Sequence, residues 1–226
     1  MVAPGPGGFA AAQSEAQRVG LPFVGHLPSG IDVRDASAKG MRSIEHLGPG
    51  SGILAACSRD GDQIREALAS APNRVPPMPP FKIPFLDAII NRRIRRLLTN
   101  PIPAWPAVEL EALKRAVATF DEDLAIDVAK QLASDGTWQC VTLIRDCTCL
   151  HSDTPAFKTD PNLRFIAAPT LEEWSELDGE FAALPADVRQ TLADVYALYL
   201  KLTKVFDGEG VKLLAGSDAG GIWDIL

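Results

Sequence analysis

Two of the three histidines in this chain, and one aspartate near its end, follow short apolar runs that predict β-strands. His26 follows "LPFVG", His46 follows "MRSIE" and Asp218 follows "VKLLAGS". Neutral imidazole and carboxylate together suit a divalent transition metal such as zinc. Such a metal lowers the pKa of its bound water to about 7 and polarises a carbonyl group. We therefore predict His26, His46 and Asp218 as candidate metal ligands; Asp218 could bind the metal, take the proton of the attacking water as the catalytic residue, or do both in turn.

Each of these residues also has a structural explanation when it is taken alone. A single histidine at a strand end is often only a hydrogen-bonded structural residue. Asp218 lies in "GSDAGG", where an aspartate commonly caps a helix or closes a turn. Their shared position at strand ends favours the metal site, although the structural explanation stays open.

The elements between these residues predict a parallel sheet. "DVRDASAKG" predicts a helix with Asp32 as its N-cap and Gly40 just after its end, between the first two strands. Two strands joined by a crossover helix pair in parallel. "TWQCVTLIR" predicts a third strand, and Val211 to Ala215 a fourth. The pattern is typical of an α/β protein, in which functional residues gather at the carboxyl ends of the strands.

A mainly helical insertion is predicted between the second and third strands, over residues about 74–134. Prolines at positions 76, 77, 79 and 80 exclude a central strand from its first part. Helices follow near Val108 to Thr119 and near Glu122 to Ser134, the latter capped by Asp121. We interpret the arginines at 92, 93, 95 and 96 as the solvated face of another helix.

The net charge and the lengths of the apolar runs argue against some classes of binding partner. The chain has 226 residues and a net charge of −7, without a basic stripe, which argues against nucleic acid. No apolar run approaches the roughly 20 residues that span a membrane, and the first residues lack the features of a signal peptide. We expect a cytoplasmic protein with a small-molecule substrate.

The cysteines offer a second, weaker metal pattern. Cys147, Cys149 and His151 form "CTCLH", which matches no standard zinc spacing and has no second pair after it. We interpret them as reduced cysteines near a strand end.

The motifs of the predicted sheet resemble those of the amidohydrolase superfamily, in its imidazolonepropionase-like branch of cyclic-amide and dipeptide hydrolases. "GHLPSGIDVRDASAKGMRSIEHL" is similar to the region of that family's fifth and sixth strands, whose metal-binding histidines His26 and His46 match. "GTWQCVTLIR" resembles the seventh strand, and "VKLLAGSDAGG" the eighth, whose aspartate is matched by Asp218. The resemblance extends from about Gln13 to the end. It implies one domain over residues 1–226, a partial (β/α)8 TIM barrel holding strands five to eight with the helical insertion.

The chain also departs from that family. The family's first strand carries a His-x-His metal motif and its fourth a lysine, but this sequence has no His-x-His and its first lysine is Lys39. Eight residues follow Asp218, too few for the closing helix of a barrel. We therefore expect only the C-terminal half of the barrel.

Three functions follow from these observations. The resemblance implies a metal-dependent hydrolase, expected to use zinc, that acts on carbon–nitrogen bonds of amides or dipeptides. The alternative is a truncated, catalytically inactive amidohydrolase fragment that self-associates through open sheet edges. A third is an α/β binding module whose "AGSDAGG" loop holds a phosphate, although this loop lacks the usual glycine pattern and lysine.

Overall fold

The predicted strands form one four-stranded sheet in the computed structural model, which describes residues 6–47, 52–71 and 86–225. They are β1 (Phe23–Gly25), β2 (Met41–Glu45), β3 (Trp138–Cys140) and β4 (Leu213–Leu214). The strands pair in chain order, and every pairing is parallel. The predicted α/β class with a parallel sheet is confirmed, whereas its membership in a (β/α)8 barrel stays a prediction.

Helices precede, connect and cover the strands. Before β3 they are α1 (Pro6–Val19), α2 (Val33–Ala38), α3 (Ile53–Ala56), α4 (Gly61–Ala69), α5 (Leu86–Thr99), α6 (Ala107–Thr119) and α7 (Glu122–Asp135). After β3 they are α8 (Leu143–Leu150), α9 (Pro155–Lys158), α10 (Ala168–Ala182) and α11 (Ala186–Gly208). Short 3-10 turns occupy Ile102–Ala104 and Pro161–Phe165.

Helices α2 and α7 begin and end where their capping residues predict. The Asp32 carboxylate accepts a hydrogen bond from the backbone N–H of Arg34 at 2.9 Å and so caps α2. Gly40, just beyond that helix, has a φ of 84°, which glycine adopts without strain. Asp121 caps α7 through two backbone N–H groups, and α7 ends at Gly136 with a φ of 71°. Asp32 and Gly40 thus bound the helix that connects β1 with β2, and Asp121 and Gly136 bound the helix that precedes β3.

Two predicted strands are too long. The third was expected to run through "TWQCVTLIR", but β3 ends at Cys140, Thr142 adopts a φ of 41°, and the chain then enters α8. A short apolar run favours a strand and a buried helix equally, so its pattern did not reveal this turn. Cys147 and Cys149 consequently lie inside α8 and not near a strand end, although all four cysteines are free thiols. The fourth strand is likewise shortened, to Leu213–Leu214, because only these residues pair with β3.

The insertion is helical wherever it is described. Residues 86–134 form α5, a 3-10 turn, α6 and most of α7, while the proline-dense residues 74–85 lie outside the described ranges. The arginines of α5 are not only a solvated face, because Arg96 contacts Glu176 at 2.9 Å and Glu180 at 2.6 Å on α10. The Arg96 side chain keeps 20% of its exposure, whereas that of Arg92 keeps 64%. Helix α5 is therefore joined to α10 by ion pairs.

Much of the hydrophobic core lies between α11 and the helices that pack against it. Helix α11 packs against α6, α7 and α8, and α2 packs against α7. Leu192, Tyr199 and Phe206 of α11 are almost wholly buried there. Within the described ranges, no helix is both long and apolar enough to cross a membrane.

Candidate functional site

The two strand-end histidines meet at one edge of the sheet. His26 directly follows β1 and His46 directly follows β2, and the strands are in register at Gly25 and Ile44. The backbone N–H of His46 donates to the carbonyl of Cys140 at 2.9 Å, after which a φ of 64° turns the chain out of the sheet. The Nε2 atoms of His26 and His46 are 3.0 Å apart. Parallel pairing thus brings together two residues that are 20 positions apart in sequence.

Thr142 holds the other side of the His46 ring. Its hydroxyl Oγ1 lies 2.6 Å from His46 Nδ1, and the side-chain amide of Gln139 donates to the His46 carbonyl at 3.0 Å. When Nδ1 carries the proton, it donates to Thr142 and leaves the lone pair of Nε2 facing His26. Metal-binding histidines are commonly oriented by such a bond from their other ring nitrogen. The sequence did not single out Thr142, because "TWQCVTLIR" placed it inside a strand and not at its end.

Asp218 approaches the same histidine from the loop after β4. Its carboxylate Oδ2 lies 3.8 Å from His46 Nε2 and 3.9 Å from Nε of Arg145. The backbone of Asp218 has a φ of 48°, which the short polar aspartate tolerates better than most residues. The Asp218 side chain is 53% exposed, so that water reaches it. All three predicted residues therefore lie together at the carboxyl ends of the strands.

Burial sets the charge of His46. Removal from solvent lowers the pKa of His46, an effect that the Asp218 carboxylate opposes and His26 reinforces. The imidazole is therefore neutral at neutral pH, which is the form that binds metals. Burial and a hydrogen bond with Glu45 raise the pKa of the nearby Cys140 thiol to about 11. Without a metal, Cys140 therefore stays protonated at neutral pH.

Two distances at the site, between the two histidines and between His46 and Asp218, are short enough for ligands of one divalent metal. Two ligands at about 2.1 Å from a tetrahedral zinc ion lie about 3.4 Å apart, and cannot lie further apart than about 4.2 Å. The separations of 3.0 Å between the histidines and 3.8 Å to Asp218 are of this size. However, the described part of the chain contains no group of three or more His, Cys, Asp or Glu side chains already arranged to hold a metal ion. The predicted three-ligand centre therefore stays a prediction.

Comparison with known proteins indicates the fold. The structure is similar to that of a bottromycin amidohydrolase, with a TM-score of 0.56 over 98% of this chain and 18% sequence identity. This chain covers 37% of that protein's length. No protein-family model matches the sequence, nor does any curated protein. The likeness supports an amidohydrolase-type fold, while the imidazolonepropionase-like branch and the activity stay predictions.

Proposed function

We propose that this chain carries part of the active site of a metal-dependent hydrolase that cleaves carbon–nitrogen bonds of amides or dipeptides. The observation that supports it most is the meeting of His26, His46 and Asp218, with separations of 3.0 and 3.8 Å, at the ends of parallel strands. The amidohydrolase-type fold of the structural neighbour agrees with this proposal.

His26 and His46 would bind the metal, for which zinc is our proposal. Their donors are neutral nitrogen atoms, which suit zinc, and the hydrogen bond of His46 to Thr142 fixes the orientation of one ring. Bound zinc would supply a nucleophilic water of lowered pKa and would polarise the substrate carbonyl. Asp218 lies close enough to serve as a further ligand.

Asp218 would also move the protons of the reaction. As a carboxylate 3.8 Å from His46 Nε2, it is placed to accept a proton from water that attacks the carbonyl carbon. It would then return this proton to the leaving nitrogen, so that the amine departs as a neutral molecule. Its exposure of 53% gives a small-molecule substrate access to this carboxylate.

The alternative is that the chain has no enzymatic activity and associates with a second copy through its open sheet edges. Val24 on β1 and Leu214 on β4 are 56% and 40% exposed, which is unusual for apolar residues of a parallel sheet. Such edge strands favour pairing with another chain or with further strands. A concentration-dependent increase in mass, measured by light scattering, would support self-association through these edges.

A hydrolysis assay separates the two possibilities. The chain is loaded with zinc and tested on cyclic amides, dipeptides and lactones beside the double variant His26→Ala with His46→Ala. The control is His151→Ala, because the third histidine packs its ring against Tyr196, with 5.2 Å between ring centroids. A hydrolase predicts zinc-dependent turnover in the chain and in the control but not in the double variant. Rates equal in all three proteins would contradict the hydrolase and favour the inactive alternative.

A further inference from the structure

The guanidinium group of Arg145 contacts both the end of α5 and Asp218. Its terminal nitrogens donate to the backbone carbonyls of Thr99, at 2.8 Å, and of Leu98, so that it caps the last turn of α5. Its Nε lies 3.9 Å from the Asp218 carboxylate. The Arg145 side chain keeps only 13% of its exposure. Because carbonyl groups occupy both terminal nitrogens, this arginine is poorly placed to bind a substrate anion.

The loop that carries Asp218 packs closely against Arg145. A Cβ atom at Gly221 would lie 1.5 Å from a terminal nitrogen of Arg145, so that only glycine fits there in the observed arrangement. The next residue, Ile222, donates its backbone N–H to the Thr99 carbonyl at 2.9 Å. The Thr99 carbonyl thus accepts hydrogen bonds from both Arg145 and Ile222. These contacts hold the loop after Asp218 against α5 and Arg145.

We propose that Arg145 is a positioning residue for Asp218. Its packing against Gly221 holds the loop that carries Asp218, so that the carboxylate faces His46. The importance of Asp218 for metal binding rests on the proposed function, whereas the position of the loop does not. Thr142 lies just before α8, and Arg145 lies in the first turn of this helix. The backbone N–H of Arg145 donates to the Thr142 carbonyl at 3.0 Å. The start of α8 therefore orients both His46 and Asp218.

The substitution Gly221→Ala tests this contact without removing any charge. The backbone of Gly221 lies outside the positive-φ region, so alanine is tolerated there except for its clash with Arg145. Gly208→Ala is the matched control, because a Cβ atom at Gly208 meets no atom within 4 Å. Should Gly221→Ala not fold, Arg145→Gln replaces it in the same experiment.

The first readout is the affinity for Co²⁺, followed by its visible absorption, in a double-mutant cycle. Loss of a residue that orients a ligand typically weakens metal affinity by about 10- to 100-fold. We expect Gly221→Ala and Asp218→Ala each to weaken Co²⁺ binding at least about tenfold, and the double variant to bind no more weakly than Asp218→Ala. Gly208→Ala should bind like the unchanged chain. Additive losses in the double variant, or normal binding by Gly221→Ala, would overturn the proposal.

The second readout needs no metal. In a crystal structure of metal-free Gly221→Ala, we expect the Asp218 carboxylate to have left its position 3.8 Å from His46 Nε2. If Arg145 is displaced while Asp218 keeps that position, Arg145 does not position it. A chain that binds no Co²⁺ at all would contradict the proposed metal site, whereas this crystal structure would still decide the role of Arg145.

Discussion

Replacing Asp146 by asparagine should make the protein markedly more stable above neutral pH. The Oδ2 atom of Asp146 is buried and makes no hydrogen bond to any residue that the structure describes. Burial raises the pKa of Asp146 from 3.8 to about 7, with Arg145 opposing the shift and Asp218 adding to it. Asparagine keeps the shape of the side chain but cannot ionise.

The size of the effect follows from linkage between protonation and folding. The unfolded chain releases this proton near pH 3.8, and the folded chain only near pH 7. Between these values the folded state binds more protons, so its free energy of unfolding falls by about 1.4 kcal/mol per pH unit. Above pH 7 the full loss is up to about 4 kcal/mol, an upper value because Asp146 as a whole residue is only partly buried. This is a large share of the roughly 5–15 kcal/mol that stabilises a typical domain.

Urea unfolding followed by tryptophan fluorescence at pH 4.5 and pH 8 measures this loss. The stability advantage of Asp146→Asn over the unchanged chain should grow by up to about 3 kcal/mol between the two pH values. Asp187→Asn is the control, because an exposed hydrogen bond with Lys114 lowers the pKa of Asp187, so its removal brings no gain at high pH. An advantage of Asp146→Asn that is equal at both pH values would refute the reasoning.

Two further changes test single contacts. Thr142→Val removes the oxygen that orients His46 and should weaken Co²⁺ binding about tenfold. The control Thr203→Val, on α11, should leave the Co²⁺ affinity unchanged. Equal affinities of the two variants would show that the 2.6 Å contact between Thr142 and His46 has no such role. Asp121→Ala removes the N-cap of α7 and should lower the free energy of unfolding by about 1 kcal/mol in urea titrations, and an unchanged value would contradict the cap.

Local signals predicted much of the fold. Asp32, Gly40 and Asp121 set helix ends through contacts with their own neighbours in sequence, so the sequence is sufficient to place them. The meeting of His26 and His46 was predictable for a similar reason. Once two strands are parallel neighbours, the residues that follow them lie at the same edge of the sheet.

Contacts between distant segments were not predictable in this way. Thr142 orients His46 only because its φ of 41° ends β3 early, and the apolar "VTLIR" gives no sign of that turn. Arg145 depends on the carbonyl groups of α5 and on Gly221, which are distant from it in sequence. The ion pairs of Arg96 with α10 likewise join residues at least 80 positions apart. Such contacts arise from packing, which a pattern along the chain does not record.

The central claim, that His26 and His46 form a metal-binding pair, is tested most directly by measuring how much zinc the chain retains. The chain and its variants His26→Ala, His46→Ala and His151→Ala are dialysed against zinc and then against buffer, and bound zinc is measured by mass spectrometry. We predict about one zinc ion per chain in the unchanged protein and in His151→Ala, and a loss of zinc in each of the other variants. Equal zinc content in all four proteins, or none in the unchanged chain, would contradict the account.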